Sequence, residues 1–390
     1  MSIVVTAPVL DRSGGVAAYY ATLKEHLQTH VHFCPTGSRA DREPLIVAGA
    51  RLLSDYGRFC RMAGASRCDL VHLNPSLGPK ALLRDGLSLL IAKALGKKVL
   101  VFLRGWDCAC ESSIRNRHLS LFRRVYFKAD AFIVLASQFQ SVLREFGYDK
   151  PIYVETTVVP DEVFSRARIK LAHPKLDRTG TNILFLSRIE EGKGIYEAID
   201  AFRLLREKCP CATLTVAGDG AELENARKYV RTAALDGVRF LGWITGEQKH
   251  QAFSDADVYL FPTRWGEGMP HSVLEAMAYG LPVITRPVGG LVDFFEPGRM
   301  GYLTDSSDPR VLASLLERLA RDLNLRQEIA RYNHAFAGSN FAASVVARRL
   351  AEIYRRTIYG KRDMVPATPA EDAAGGGPVS VHANPEEDLR

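Results

Sequence analysis

The sequence has no long apolar run, which on sequence grounds excludes a membrane-spanning helix. Its longest nearly continuous apolar stretch lies between Leu87 and Leu95 and is interrupted by Ser88 and Lys93, whereas a spanning helix needs about 20 apolar residues. No basic segment precedes an apolar one at the start of the chain. We therefore interpret the first eight residues as the first strand and not as a signal peptide.

The sequence also lacks the cysteine and histidine spacings of a zinc site. Its seven cysteines are scattered, and the pairs Cys108-Ala-Cys110 and Cys209-Pro-Cys211 have neither C-x2-C spacing nor nearby histidines. We interpret them as reduced thiols, which are typical of cytoplasmic proteins. Neither a metal centre nor a redox centre is therefore predicted.

Charge is distributed unevenly along the chain. The net charge is +7, and residues 1–165 contain 21 Lys and Arg against 15 Asp and Glu, so they carry +6 of it. A basic first half can attract an anionic acceptor, a lipid phosphate or the inner leaflet of a membrane, although ordinary surface solvation explains it equally well. No nucleic-acid-binding module accompanies the charge, so nucleic acid is not expected as a partner.

Short apolar strands alternate with longer amphipathic helices, as in parallel α/β domains. Two such series are present. The first has strand candidates at 3–6, 70–73, 98–103, 131–135 and 152–159, and the second at 182–186, 212–217, 238–241, 258–261 and 282–285. We predict two Rossmann-like domains with parallel sheets. Because parallel sheets bind ligands at the carboxyl ends of their strands, a ligand is expected in the cleft between the domains.

The domain boundaries are predicted from shifts in composition. Residues 1–165 are assigned to the first domain and 180–337 to the second, joined by a polar linker from Pro160 to Thr179. An amphipathic helix is predicted from about Phe341 to Tyr359. Residues 361–390 have almost nothing apolar to bury, so this tail is expected to be disordered.

The most informative segment runs from Trp265 to Gly280 (WGEGMPHSVLEAMAYG) and follows a strand candidate. A turn containing glycine and proline leads into a helix that begins near His271 and Ser272. Glu267 lies in the loop and Glu275 about one turn into the helix, so both carboxylates can face the strand ends. Free amides at a helix start attract anions, and paired carboxylates can orient sugar and ribose hydroxyls.

This segment resembles the E-x7-E motif of the family-4 retaining glycosyltransferases (glycosyl transferases group 1), which adopt the two-domain GT-B fold. The resemblance implies that Glu267 contacts the hexose of a nucleotide-sugar donor and Glu275 its ribose. His271, Ser272 and Val273, at the start of the helix, are predicted to bind the donor as well. The alternative is a helix start with surface carboxylates, since the bare spacing is common by chance.

Arg188 and Lys193 follow the first strand of the second series in a glycine-containing turn, LSRIEEGKG. A guanidinium and an ammonium five residues apart can reach one diphosphate. The pair is similar to the phosphate-binding R-x4-K element of the same family, which implies that Arg188 and Lys193 stabilise the leaving nucleoside diphosphate. Alone, such a pair is more often a solvated loop.

Three further elements resemble parts of the family's donor site. A glycine turn follows the first strand, a second one follows the strand candidate at 282–285, and a Gly-Trp-Ile stretch follows the one at 238–241. Glycines let backbone amides approach a phosphate or sugar, although a plain tight turn and a core tryptophan are the alternatives. The residues predicted here to contact the donor are Gly14, Gly15, Trp243, Ile244, Gly289 and Gly290.

Arg104 departs from the family's pattern. Many relatives have a histidine, in a pattern like HGxD, where this chain has Arg104-Gly-Trp-Asp107. Either Arg104 has an electrostatic role towards a phosphate or an anionic sugar, or the usual contact is missing, or another residue fills the position. Asp107 either orients Arg104 or caps the following segment.

The segment from Ser112 to Lys128 mixes basic with apolar side chains (SSIRNRHLSLFRRVYFK). Such a helix can lie on an anionic membrane, which would suit a lipid-linked acceptor. The alternative is a helix that covers the sheet and turns its basic face to water.

Taken together, the residues and the resemblance predict a retaining glycosyltransferase that moves a hexosyl unit from a UDP- or GDP-sugar to a saccharide or lipid-linked acceptor. Arg188, Lys193 and Glu267 are its predicted catalytic residues. The donor is a substrate, and neither a cofactor nor a metal ion is expected. The chain is predicted to be cytoplasmic, with contact to the inner face of the membrane as an option. A catalytically silent nucleotide-sugar-binding module and a sugar-nucleotide epimerase of the same fold are the alternatives.

Overall fold

The structure is a computed structural model, and it describes residues 1–11, 14–37, 44–172 and 180–360. The predicted tail at 361–390 therefore lies outside the described residues, as does the part of the predicted linker from 173 to 179. Gly14 and Gly15 of the first glycine turn are described, whereas the residue before them is not.

The first half of the chain alternates strands with helices. In chain order its elements are β1 (Ser2–Ala7), α1 (Gly15–Leu23), β2 (His30–Pro35), α2 (Leu45–Gly64), β3 (Leu70–Leu73), α3 (Pro79–Ala94), β4 (Lys98–Phe102), α4 (Cys108–Ser113), α5 (Leu119–Tyr126), β5 (Ala131–Val134), α6 (Ser137–Glu145), β6 (Ile152–Val154) and α7 (Asp161–Ala172). One π-helical stretch, Ile114–His118, connects α4 to α5.

The second half repeats the alternation and ends in three consecutive helices. Its elements are β7 (Asn182–Leu186), α8 (Ile195–Lys208), β8 (Thr213–Ala217), α9 (Leu223–Thr232), β9 (Val238–Gly242), α10 (Gly246–Asp255), β10 (Val258–Phe261), α11 (His271–Ala278), β11 (Val283–Thr285), β12 (Gly301–Leu303), α12 (Pro309–Arg321), α13 (Leu323–Phe341) and α14 (Ala343–Tyr359). Short 3-10 segments at Glu191–Lys193 and Gly289–Asp293 follow β7 and β11.

The strands form two six-stranded sheets, in the orders β2-β1-β3-β4-β5-β6 and β12-β11-β10-β7-β8-β9. Every pairing within them is parallel. The central strands β3, β5 and β10 are buried along their whole length, because helices cover both faces of a parallel sheet. The predicted α/β class with two parallel sheets is thereby confirmed.

Two edge strands, β2 and β12, were not predicted. The side chains of β2 (HVHFCP) are mostly half-exposed or exposed, and β12 has only three residues, so neither reads as a buried apolar run. The predicted strand at 152–159 is shorter in the structure, since β6 ends at Val154. At that point the carboxylate of Glu155 turns towards Arg349 on α14.

The described part of the segment predicted as a polar linker is largely helical. Helix α7 buries Val163, Phe164 and Ala167, whose spacing gives one apolar face. Asp161 and Glu162 in its first turn suit the positive end of the helix dipole.

The last helix, α14, packs back onto the first sheet. A parallel bridge joins Ala342, just before the helix, to Val159. His72, fully buried on β3, lies 2.9 Å through Nδ1 from the hydroxyl of Tyr354. The guanidinium of Arg349 donates through Nε and Nη2 to the buried carboxylate of Glu155, each at 2.9 Å. Helix α14 is thus part of the first domain's core.

Removal of the Arg349 side chain is expected to destabilise the fold. Replacing Arg349 with Gln leaves the carboxylate of Glu155, which is only 7% exposed, without its cation. Because breaking a buried ion pair strands the partner charge, we expect a loss of about 2–4 kcal/mol in the free energy of unfolding. Urea denaturation measures it, with Arg348→Gln, an exposed neighbour, as the matched control. Equal stabilities of the two variants would contradict a stabilising role for the Arg349–Glu155 ion pair.

Candidate functional site

A cavity of about 510 Å³ lies at the carboxyl ends of the strands of the second sheet. It is bordered by the turns after β7, β8 and β9, by α10, and by the loop that leads from β10 into α11. Its lining residues are Leu186, Ser187, Arg188, Lys193, Ala217, Gly218, Trp243, Ile244, Thr245, Gly246, Lys249, Phe261, Glu267, Pro270, His271, Ser272 and Glu275. Eight residues predicted to bind the donor are therefore brought together here: Arg188, Lys193, Trp243, Ile244, Glu267, His271, Ser272 and Glu275.

Lys193 and Glu267 form an ion pair on the floor of the cavity. Lys193 ends the 3-10 segment after β7, Glu267 lies in the loop after β10, and the Lys193 ammonium donates to Oε1 of Glu267. Their side chains are only 7% and 18% exposed, so solvent screens the pair weakly. Each group holds the other in place beside the strand ends.

Glu275 makes the equivalent pair with a lysine that sequence reasoning missed. Lys249, on α10, donates to Oε1 of Glu275 on α11 at 2.6 Å, and both border the cavity. Lys249 belongs to no motif, and only the packing of α10 beside α11 brings its side chain to the site. No sequence signal singles out Lys249.

Arg188 is the most exposed cation of the site. Its side chain is 57% exposed and its Nη1 donates to Glu190 at 2.9 Å. The guanidinium lies 6.0 Å from the ring centre of Trp265, and the Lys193 ammonium lies 5.3 Å from the same ring. A surface pair such as Arg188–Glu190 is weak, so Arg188 can exchange its partner for another anion at little cost.

Three cationic side chains and two carboxylates therefore line the cavity. Its remaining wall is the start of α11, where Pro270 precedes the helix and no side chain caps it. The first amides of a helix have no intrahelical acceptor and attract anions. Positive charge beside carboxylates suits a ligand that carries phosphates at one place and hydroxyls at another.

His271 links this wall to the first domain. A Cβ built on Gly15 would lie 3.5 Å from its Nε2, which places the first glycine turn against the start of α11. Burial, together with the positive charges of Lys249 and Arg104, lowers the pKa of His271 to about 4. The imidazole is therefore neutral at pH 7 and can both donate and accept a hydrogen bond.

The second glycine turn is a packing element and not part of the cavity wall. A Cβ on Gly289 would lie 2.2 Å from the carbonyl oxygen of Gly268, and one on Gly290 would lie 2.1 Å from that of Leu135. Both distances are impossible for real atoms, so only glycine allows these backbones to approach. Asp293 then accepts hydrogen bonds from Ser137 at the start of α6, at 2.7 Å from its amide and 2.5 Å from its hydroxyl.

Two predicted residues have other roles in the structure. Val273 is fully buried, so it offers no side chain to the cavity. Asp107 neither orients Arg104 nor borders the cavity: its Oδ1 accepts from the amides of Ala109 and Cys110, at 2.8 and 3.1 Å, as the cap of α4. The capping alternative for Asp107 is thus the one observed.

Arg104 lies at the carboxyl end of β4, outside the cavity but next to its loop. Its Nε donates to Asn74 at 3.0 Å, and a Cβ on Gly268 would lie 3.3 Å from its carbonyl oxygen. Asn74, and not Asp107, therefore orients the guanidinium. Gly14 and Gly15, the remaining predicted contacts, do not line the cavity.

Comparison with known proteins identifies the fold class of this architecture. Two six-stranded parallel sheets with a site at the strand ends of the second define a GT-B glycosyltransferase fold. Crystal structures with this fold superpose on most of the chain: HepE from Anabaena (TM-score 0.67, 19% identity, covering 91% of this chain and 99% of that one) and sucrose-phosphate synthase from Thermosynechococcus elongatus (0.68, 20%, 91% and 98%).

Sequence comparison identifies the second half more closely. Residues 169–336 match the family described as glycosyl transferases group 1, the family that the sequence resembles. Relatives include the amylovoran biosynthesis glycosyltransferase AmsK of Erwinia amylovora (28% identical, 67% of this chain) and the glycogen synthase of Mycobacterium tuberculosis (29%, 63%). The alignments span 64% and 59% of those relatives' own lengths.

The neutral state of His271 predicts a pH dependence of stability. Between pH values of about 4 and 6.5 the unfolded chain binds a proton at this histidine that the folded chain does not. Stability therefore falls as the pH falls through this window, by at most about 1.4 kcal/mol per pH unit from this group. His271→Asn should flatten the measured slope of unfolding free energy against pH, whereas His30→Asn, an exposed histidine on β2, should not. An unchanged slope in His271→Asn would refute the assignment.

Proposed function

We propose that the chain transfers a hexosyl unit from a UDP- or GDP-sugar to a saccharide or lipid-linked acceptor, with retention at the anomeric carbon, as in family 4. The observation that carries the proposal is the cavity that joins Arg188, Lys193 and Lys249 to Glu267 and Glu275. Similar proteins support it: HepE of Anabaena, which shares the fold, was crystallised with UDP-glucose, and AmsK is an amylovoran biosynthesis glycosyltransferase.

In this proposal the cations hold the diphosphate and stabilise the charge that develops on it as the glycosidic bond breaks. Arg188 exchanges Glu190 for a phosphate, and Lys193 keeps Glu267 in place while it contacts the phosphate. The amides of His271 and Ser272 add donors at the helix start. These groups supply the countercharge, so the proposal needs neither a metal ion nor a cofactor.

The carboxylates position the two sugars of the donor. Glu267 accepts from hydroxyls of the hexose and Glu275 from those of the ribose, while Trp243 and Ile244 border the base. The acceptor oxygen bonds to the anomeric carbon, the bond from that carbon to the diphosphate breaks, and the acceptor's proton passes to the leaving phosphate oxygen. Glu267 acts by orientation and not as a base, because its carboxylate is already bound to Lys193.

A donor panel tests this function directly. Wild-type protein is incubated with UDP-, GDP- and ADP-sugars, and melting temperature and nucleoside diphosphate release are measured. We expect one UDP- or GDP-sugar to raise the melting temperature and to be hydrolysed slowly without an acceptor. If no donor does either, the transferase proposal is wrong. A donor that binds but is neither hydrolysed nor transferred favours the silent module, and conversion to an epimeric sugar nucleotide favours the epimerase.

Loss of a site cation should reduce the rate with the best donor. For Arg188→Gln and Lys193→Gln we expect kcat/KM to fall about 10²- to 10³-fold, as for other lost transition-state donors. Arg203→Gln, which removes an exposed arginine of α8, is the matched control and should leave the rate unchanged. Because Arg188 is largely exposed, a folded but fully active Arg188→Gln would exclude its catalytic role.

We also propose that the first domain lies on an anionic membrane. A mainly apolar groove of about 560 Å³ runs between α3 and the α4–α5 segment, and Leu83, Leu87 and Leu121 at its rim are 75%, 45% and 57% exposed. Residues 44–128, which build this side of the domain, contain 15 Lys and Arg against five Asp and Glu. Apolar side chains amid such positive charge suit the interface of an anionic bilayer. None of the helices in the described ranges is long and apolar enough to cross it.

Vesicle flotation tests the membrane proposal. Wild-type protein should float with phosphatidylglycerol vesicles and not with phosphatidylcholine vesicles, and Leu83→Asp with Leu87→Asp should abolish flotation. Val311→Asp, a partly exposed position on α12, is the control and should float normally. A wild-type protein that does not float with phosphatidylglycerol vesicles would contradict the membrane proposal. A dimer that the double variant disperses would show instead that a second copy of the chain occupies the groove.

A further inference from the structure

The side chain of Arg104 is held rigidly in an aromatic setting. Its guanidinium carbon lies 3.7 Å from the ring centre of Tyr19 and 3.6 Å from that of Phe102. Its Nε donates to Oδ1 of Asn74, which also accepts from the hydroxyl of Tyr20 at 2.9 Å. The orientation of the positive charge is therefore fixed before any ligand arrives.

The described residues give this cation no countercharge. Within the described parts of the chain no carboxylate lies within salt-bridge distance of Arg104, and its Nη2 is buried without a hydrogen-bond partner. Asp107 and Glu155 already have other partners. Asp107 caps α4, and Glu155 accepts hydrogen bonds from Arg349. Aromatic faces attract a cation but do not neutralise its charge. A poorly solvated cation normally has an anionic partner.

The position of Arg104 shows where such a partner would be. Arg104 follows β4 in the first sheet, and its backbone touches the loop that holds Glu267. Its charge also contributes to the lowered pKa of His271, on the cavity wall of the opposite domain. Arg104 does not line the nucleotide cavity itself, so its partner belongs to whatever enters the cleft beside that cavity.

We propose that Arg104 binds an oxyanion, a carboxylate or a phosphate ester, carried by a substrate in this cleft. A guanidinium matches either group through two parallel hydrogen bonds, which an ammonium cannot make. The oxyanion has two possible sources: the sugar of the donor, as in a uronic acid, or a phosphorylated acceptor. The inference rests on the proposed function, because it takes the neighbouring cavity to hold the nucleotide.

The donor source is tested by calorimetric titration with UDP, UDP-glucose and UDP-glucuronate, or with GDP, GDP-mannose and GDP-mannuronate if the panel selects guanosine. If the donor carries the oxyanion, wild type should bind the uronate donor at least about tenfold more tightly than the neutral one, about 1.4 kcal/mol. Arg104→Gln should abolish this preference and leave the affinity for the bare nucleotide unchanged. Arg115→Gln, an exposed arginine after α4, should behave as wild type.

The acceptor source is tested in the presence of saturating UDP or GDP, with glucose 1-phosphate and glucose as probes. If the acceptor carries the oxyanion, wild type should bind glucose 1-phosphate at least about tenfold more tightly than glucose, and Arg104→Gln should lose that preference. Arg104→Lys keeps the positive charge but loses the two parallel hydrogen bonds of the guanidinium. We therefore expect it to retain only part of the preference in the titration, donor or acceptor, that shows one.

If wild type prefers neither anionic probe over its neutral counterpart, the proposal is overturned, even should Arg104→Gln fail to fold. It is also overturned if Arg104→Gln weakens the binding of the bare nucleotide as much as that of the anionic probe. Arg104 would then support the nucleotide cavity and not an oxyanion beside it. Binding of UDP or GDP itself tests the proposed transferase function. Failure of that function can therefore be distinguished from failure of the oxyanion proposal for Arg104.

Discussion

A close backbone contact between loops, permitted only by glycine, holds the site together. Gly289 and Gly290 pack against the carbonyl oxygens of Gly268 and Leu135, and the amide of Gly290 donates to Gly268 at 2.8 Å. This contact sets the path of the loop that carries Glu267, and thereby the ion pair with Lys193. Because Leu135 belongs to the first domain, the same contact also determines where that domain meets the cavity.

Electrostatic preorganisation follows from this arrangement. The partly buried carboxylates of Glu267 and Glu275 are paired with lysines from other elements, so each has a cationic partner before a ligand binds. The two arginines differ: Arg188 is exposed with a weak partner, and Arg104 is largely enclosed with no acidic partner among the described residues. These are the site charges that the fold leaves least satisfied, and an anionic substrate would complete them.

Much of the fold and part of the site could be predicted from the sequence. The strands of both sheets were found wherever burial on two faces made a continuous apolar run, as in β3, β7 and β10, and missed at the half-exposed edges β2 and β12. Helix α7 was not predicted within the linker, because its polar face outweighs three buried residues. Lys249 and Asn74 lie far along the chain from the groups they serve, so no local spacing reveals them.

Local spacing by itself determined the class of the fold and the grouping of Arg188 with Lys193 and of Glu267 with Glu275, because each pair lies within one strand–turn–helix unit. Only the tertiary structure decided which charge meets which. It pairs Lys193 with Glu267 and Lys249 with Glu275, uses Asp107 as a helix cap, and gives Arg104 no acid from the described part of the chain. The physical reason is that ion pairing depends on distances between elements remote in sequence, and these arise only when the helices and sheets pack.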